Sequence, residues 1–247
     1  MSKCSPGEAE VLDNTEKGER QMAQGSTSLG EGTDGGAVAG SSLLTPSVPQ
    51  DIGVRSQQQR ILAAMAKSVA EKSISATTIA DIVGCASISR ATFYKHFTNK
   101  RECFCATADA FLEELQGAAV VAYARSENSA AASVRDVIAA MLELLAAKPD
   151  HAKLLLLEAP IVDPEIVRRY RKFAIGALEK QLANEGGARR AAADPEIAFG
   201  RAKVLIADYL AAGKVDDLPS LLPELVYIAL LPHVGQDAAL EQARLSR

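Results

Sequence analysis

From about Ser56 onward, apolar side chains recur every three to four positions, the spacing that buries one face of an α-helix. Between Ser56 and Lys72, Ile61, Leu62, Met65, Ala66 and Val69 form one stripe, with Arg60, Lys67 and Lys72 outside it. Two shorter patterns occupy Thr77 to Lys100. Thr78 is placed to cap a helix carrying Ile79, Ile82 and Val83. Ala86-Ser87 makes the turn, and Ile88 is directed back towards the core. Ser89 caps a second helix, Arg90 to about His96, with Phe93 and Phe97 inside and Arg90, Ala91, Thr92, Tyr94 and Lys95 outside. Helices of about seven residues do not stand alone. The pair is therefore expected to dock as a helix-turn-helix, which lays its second helix in the major groove of DNA. Asn99, with Glu102 three residues on, opens a long helix towards Arg125. Phe104, Ala108, Phe111, Leu112, Leu115 and Ala119 form its buried side.

The helical period continues after Ser126–Ser129. Ala132 to Ala147 carries Val134, Val137, Ile138, Met141, Leu142 and Leu145 and ends at Lys148-Pro149. Asp150 to Glu158 is expected as a short interior helix stopped by Ala159-Pro160. Asp163-Pro164-Glu165 and Asp194-Pro195-Glu196 each combine a cap, a proline at the first helical position and an acid against the helix dipole. The helices they open run to about Ala183, before Gly186-Gly187, and to Ala212, before Gly213. Ser220 to Leu231 forms another before Pro232 and Gly235, and Asp237 to Ala243 a short terminal one.

Composition agrees with an all-α chain: 48% hydrophobic and only 4% aromatic residues, without tryptophan. No run of about eighteen apolar residues could span a membrane, and the start lacks a secretory pattern. A cytoplasmic, nucleoid-associated protein is expected, with no membrane partner. Charge is unevenly spread. Residues 1–53 hold three Lys/Arg against eight Asp/Glu, residues 54–105 eight against three, and the remainder sixteen against twenty. The positive charge thus lies on the segment suspected of meeting phosphate. Residues 1–53 also hold nine of the seventeen glycines and no aromatic, which predicts a disordered acidic tail.

The string Thr77–Lys100, TTIADIVGCASISRATFYKHFTNK, resembles the DNA-binding segment of TetR-type transcriptional regulators. The likeness extends back to Arg60 and forward to Glu102. Ser87 stands where that family usually has glycine, and Cys103 where it usually has leucine. The resemblance implies a three-helix helix-turn-helix DNA-binding domain over 54–100, then a helical ligand-binding and dimerisation domain over 101–247. It implies that Thr78, Tyr94, His96 and Lys100 meet phosphate, that Ser89 caps the reading helix, and that Arg90, Ala91 and Thr92 face base edges of double-stranded operator DNA. It also implies a homodimer built from the last two long helices. The candidate faces are Ala198, Ala202, Leu205, Ile206 and Tyr209 on one, and Leu221, Leu222, Leu225, Ile228 and Ala229 on the other.

Catalytic chemistry has little support. His96, His151 and His233 lie on separate elements, and C-x-C at Cys103 and Cys105 is not a zinc pattern. No phosphate loop or nucleophile elbow occurs, so neither an enzyme nor a cofactor is expected. Cys103, near a helix N-terminus, is a candidate for a lowered thiol pKa and hence for redox sensing. The main expectation is a repressor released by a hydrophobic small-molecule effector. Its pocket would be lined by Phe111, Leu115, Met141, Leu145, Leu155, Tyr170 and Phe173, among Ala132–Ala147, Asp150–Glu158, Asp163–Ala183 and the long helix from Asn99. A redox sensor of the same fold, or an all-helical enzyme or lipid carrier, is the alternative.

Overall fold

The computed structural model describes residues 50–126, 129–183 and 194–246, and among these there are helices and turns but no strand. The tail expected over 1–53 and the stop at Gly186-Gly187 lie outside the described residues, apart from positions 50–53. Gln59–Arg247 forms one compact unit. The first helix, α1 (Gln50–Ala76), starts six residues earlier than its apolar stripe indicates. It kinks at Ser73, whose φ of 69° and ψ of 162° are not helical. The buried Thr77 braces the kink, its amide and hydroxyl donating to the Ser73 carbonyl at 3.1 and 2.7 Å.

The short helices α2 (Ile79–Ala86) and α3 (Arg90–His96) follow as the pattern predicts, and α4 (Lys100–Arg125) begins after the Asn99 cap. Ile61, Met65, Ile82, Phe93 and Phe104 are wholly buried beneath the turn. Burying side chains of this size contributes about 1.5–3 kcal/mol each, which holds together helices too short to persist alone. Ile88 is only half-buried.

The body contains α5 (Ala130–Ala147), α6 (Pro149–Lys153), a π-helical turn (Leu154–Glu158), α7 (Ala159–Val162), α8 (Pro164–Ala183) and α9 (Pro195–Ala211). A 3₁₀ turn (Leu218–Leu221), α10 (Leu222–Val234) and α11 (Gln236–Arg244) complete it. Two proline stops were misjudged. Pro160 does not end its helix, because the backbone widens ahead of it and the Ala159 amide bonds to the Leu154 carbonyl, five residues back. That geometry gives the proline ring room where an α-helix would clash with a carbonyl. Pro232 likewise lies inside α10, which ends at Gly235 in a positive-φ conformation of 85°.

The stripes on α9 and α10 assigned to a dimer face are covered in part within the single chain. Ala198, Leu221, Leu225 and Ile228 are buried within the one chain, and Ala202, Ile206 and Ala229 line an internal cavity. Leu205, Tyr209 and Leu222 are half-buried. The apolar residues left outside on α9 are Ile197 and Val204, 62% and 58% exposed.

Candidate functional site

The helix-turn-helix is held by hydrogen bonds at each of its corners. Thr78 closes a capping box: its hydroxyl accepts from the Asp81 amide at 3.2 Å, and its own amide donates to the Asp81 carboxylate at 2.9 Å. Lys72, near the end of α1, pairs with Asp81 at 2.6 Å. The hydrogen bond from Lys72, then that from the Thr78 backbone, lower the Asp81 pKa to about 2, so this tie between α1 and α2 is ionised at neutral pH. At the turn Ser87 adopts left-handed geometry, φ 52° and ψ 52°. The Arg60 guanidinium donates to the carbonyls of Ala86 and Ser87.

Ser89 caps α3, its hydroxyl accepting from the Thr92 amide at 3.0 Å. Ser89, Arg90, Ala91, Tyr94 and Lys95 are then exposed on one side, while Phe93 and Phe97 are buried on the other. Thr78 is exposed close by in sequence, Thr92 and His96 are half-buried, and the Thr92 hydroxyl shares a 2.9 Å hydrogen bond with Ser89. Lys100 is placed differently from expectation. Its ammonium donates to the carbonyls of Ile74 and Thr77 at 2.9 and 2.6 Å, so it braces the kinked end of α1.

The body holds a partly open cavity of about 250 Å³. Leu115, Met141, Leu145, Leu155, Tyr170 and Phe173 line it as expected, but Phe111 does not. Phe111 is 1% exposed and packs against the His151 ring at 5.4 Å. Burial, then the neighbouring Lys148, lowers the His151 pKa. Sequence reasoning missed the whole far wall, contributed by α9 and α10, and with it Lys203 and His233. The signal was present: Phe199 and Lys203 share the helical stripe of Ala198, Ala202 and Ile206 that was assigned outward. Burial raises the Tyr170 phenol well above its ordinary pKa, so it stays protonated.

Several contacts join α4 and the helix-turn-helix to the cavity wall. Arg169 on α8 pairs with Asp109 at 2.6 Å, Arg101 approaches Asp163 at 3.9 Å, and Lys148 pairs with Glu114. Glu158 ends the π turn that puts Leu155 and Leu156 in the cavity wall, and its carboxylate accepts from the Ile74 amide at 3.1 Å, one residue past the Ser73 kink. The expectation for Cys103 is overturned. It is wholly buried, and desolvation drives its thiol pKa upward. No helix among the described residues is long and apolar enough to cross a membrane.

A capped helix-turn-helix with an exposed basic reading face, set on an all-helical body, defines a DNA-binding transcriptional regulator. Residues 61–107 match the family model of bacterial regulatory proteins of the tetR family, which makes this segment a tetR-type DNA-binding region. No curated protein sequence matches the chain. Among solved structures, the fatty acid degradation regulator FadR from Bacillus halodurans is similar at a TM-score of 0.62 and 17% identity, over 70% of this chain and 94% of that one. FadR from Bacillus subtilis, solved in complex with stearoyl-CoA, gives 0.56 and 19% over 70% and 97%. A gamma-butyrolactone receptor, an ArpA-like protein, gives 0.54 and 16% over 78% and 98%. At these identities the likeness is one of fold.

Proposed function

We propose that the protein is a repressor that holds a palindromic operator as a homodimer and leaves it when a hydrophobic small molecule fills the cavity. In this reading residues 54–100 bind DNA and residues 101–247 bind ligand and partner. The observation that carries it is an apolar cavity whose wall includes α4, the helix that starts at the reading head. Neighbours of the same fold include one bound to stearoyl-CoA and one named a gamma-butyrolactone receptor, which supports a small-molecule signal. Thr78, Tyr94 and His96 position the protein on phosphate. Arg90, with Ala91 and Thr92, faces base edges, and Arg90 suits a bidentate contact with guanine. Unliganded binding that excludes polymerase makes repression the economical sign. Release from 99:1 to 1:99 needs about 5.5 kcal/mol of preference, or about 2.7 kcal/mol from each of two ligands.

In vitro selection from a random DNA library tests the reading. It should return an inverted repeat, since a two-fold dimer presents the same helix twice. Arg90→Ala should flatten preference at one position per half-site, at a cost of about 1–3 kcal/mol. Enrichment of no repeat, or an unchanged preference in the variant, refutes it.

A further inference from the structure

The cavity is lined mostly by hydrocarbon, with Tyr123, Tyr170, Lys203 and His233 as its polar side chains, and two of these flank one aromatic ring of its wall. Tyr170 on α8 sets its ring edge-on to Phe199 of α9, with centroids 5.5 Å apart. Lys203 lies one turn beyond Phe199 on the same helix and also lines the cavity. Residues four apart on a helix are neighbours, which puts Lys203 next to the residue whose ring Tyr170 packs against. Among the described residues no carboxylate pairs with Lys203, and the Tyr170 hydroxyl has no hydrogen-bond partner. Other lysines beside acids in this chain, Lys72 and Lys148, do take them as partners. Elsewhere the wall is Leu142, Leu145 and Leu155, each at most 3% exposed. The wall therefore combines buried leucines with an ammonium and a phenolic donor. A neutral hydrophobe would match neither donor, whereas an anionic head would match both; Lys203 itself is half-buried.

We propose that the cavity takes an anionic amphiphile, with an aliphatic chain against Leu142, Leu145 and Leu155 and an anionic head held by Lys203 and hydrogen-bonded by Tyr170. This rests on reading the cavity as the effector site and narrows the ligand from any hydrophobe to one with a carboxylate or phosphate-bearing head.

Calorimetric titration of the full chain with dodecanoate, dodecanoyl-CoA and dodecan-1-ol tests it. At least one of the two anions should bind ten-fold or more tightly than the alcohol, and which one does so distinguishes a bare carboxylate from a larger phosphate-bearing head. Lys203→Met should erase that preference while leaving the alcohol's affinity intact, which also reports that the variant is folded. Lys203→Arg should retain the preference, and Tyr170→Phe should reduce it. Met141→Trp, which fills the cavity, should abolish binding of all three. If the alcohol binds as well as both anions and Met141→Trp still blocks it, the effector cavity stands and the anionic head is overturned. Preference that survives Lys203→Met overturns the head in the same way. Binding unaffected by Met141→Trp, or absent for all three compounds, overturns the cavity reading itself.

Discussion

Ser87 holds the turn between α2 and the reading helix in the left-handed region. A residue with a side chain gives up about 1–2 kcal/mol there, which glycine avoids. The two carbonyl contacts from Arg60 steady the turn without removing that cost. Ser87→Gly should raise the melting temperature by about 2–4 °C, the shift a gain of about 1 kcal/mol gives a chain of this length, with operator affinity unchanged. A lower melting temperature would show that the serine side chain contributes more than its backbone strain costs. Ser73 takes a rarer conformation still, and there the Thr77 hydroxyl and the Ser75 hydroxyl, 2.9 Å from its own, surround it with partners. Lys100 belongs to the same cluster: an ammonium the motif assigns to phosphate is instead bonded to two backbone carbonyls.

Among elements, the π turn is the piece that reaches both ways, with Leu155 and Leu156 on the cavity and Glu158 on the Ile74 amide. Glu158→Ala should speed hydrogen exchange at Ile74 while sparing Thr77, whose amide is held by the Ser73 carbonyl. It should also weaken coupling between cavity and operator by about 0.5–2 kcal/mol. Equal exchange at Ile74 in both proteins would remove Glu158 from that path. This element also marks where sequence reading failed. The caps at Thr78, Ser89, Asn99 and Asp194 are local, each needing a side-chain oxygen and an amide two or three residues on, so they could be read directly. Pro160 and Pro232 could not, because a proline's effect depends on whether the backbone before it can widen. Inward and outward stripes on α9 and α10 were also indistinguishable: both are apolar, and only packing shows which side is covered. Phe111 fell out of the cavity for a similar reason, its partner being His151, forty residues away in the chain.

For the whole molecule, the free apolar side of α9 is what a second copy would meet. Ile197 and Val204 are exposed seven residues apart on one side of α9, with the exposed Arg201 and Asp208 on the same side available for ion pairs with a second copy. Val204→Glu should yield a monomer by sedimentation and lower operator affinity by about 10²–10⁴-fold, the value of binding two half-sites together. A variant that remains dimeric places the dimer contact elsewhere. Because the cavity lies on the opposite side of this same helix, a ligand pressing on Ala198, Ala202 and Ile206 bears on the helix that would carry Ile197 and Val204. Reciprocity then requires that whatever the ligand does to pairing, pairing does to the ligand. Sensitivity to the signal would vary with how much of the protein a cell contains, and a repressor that also controlled its own synthesis would set its dose threshold by its abundance.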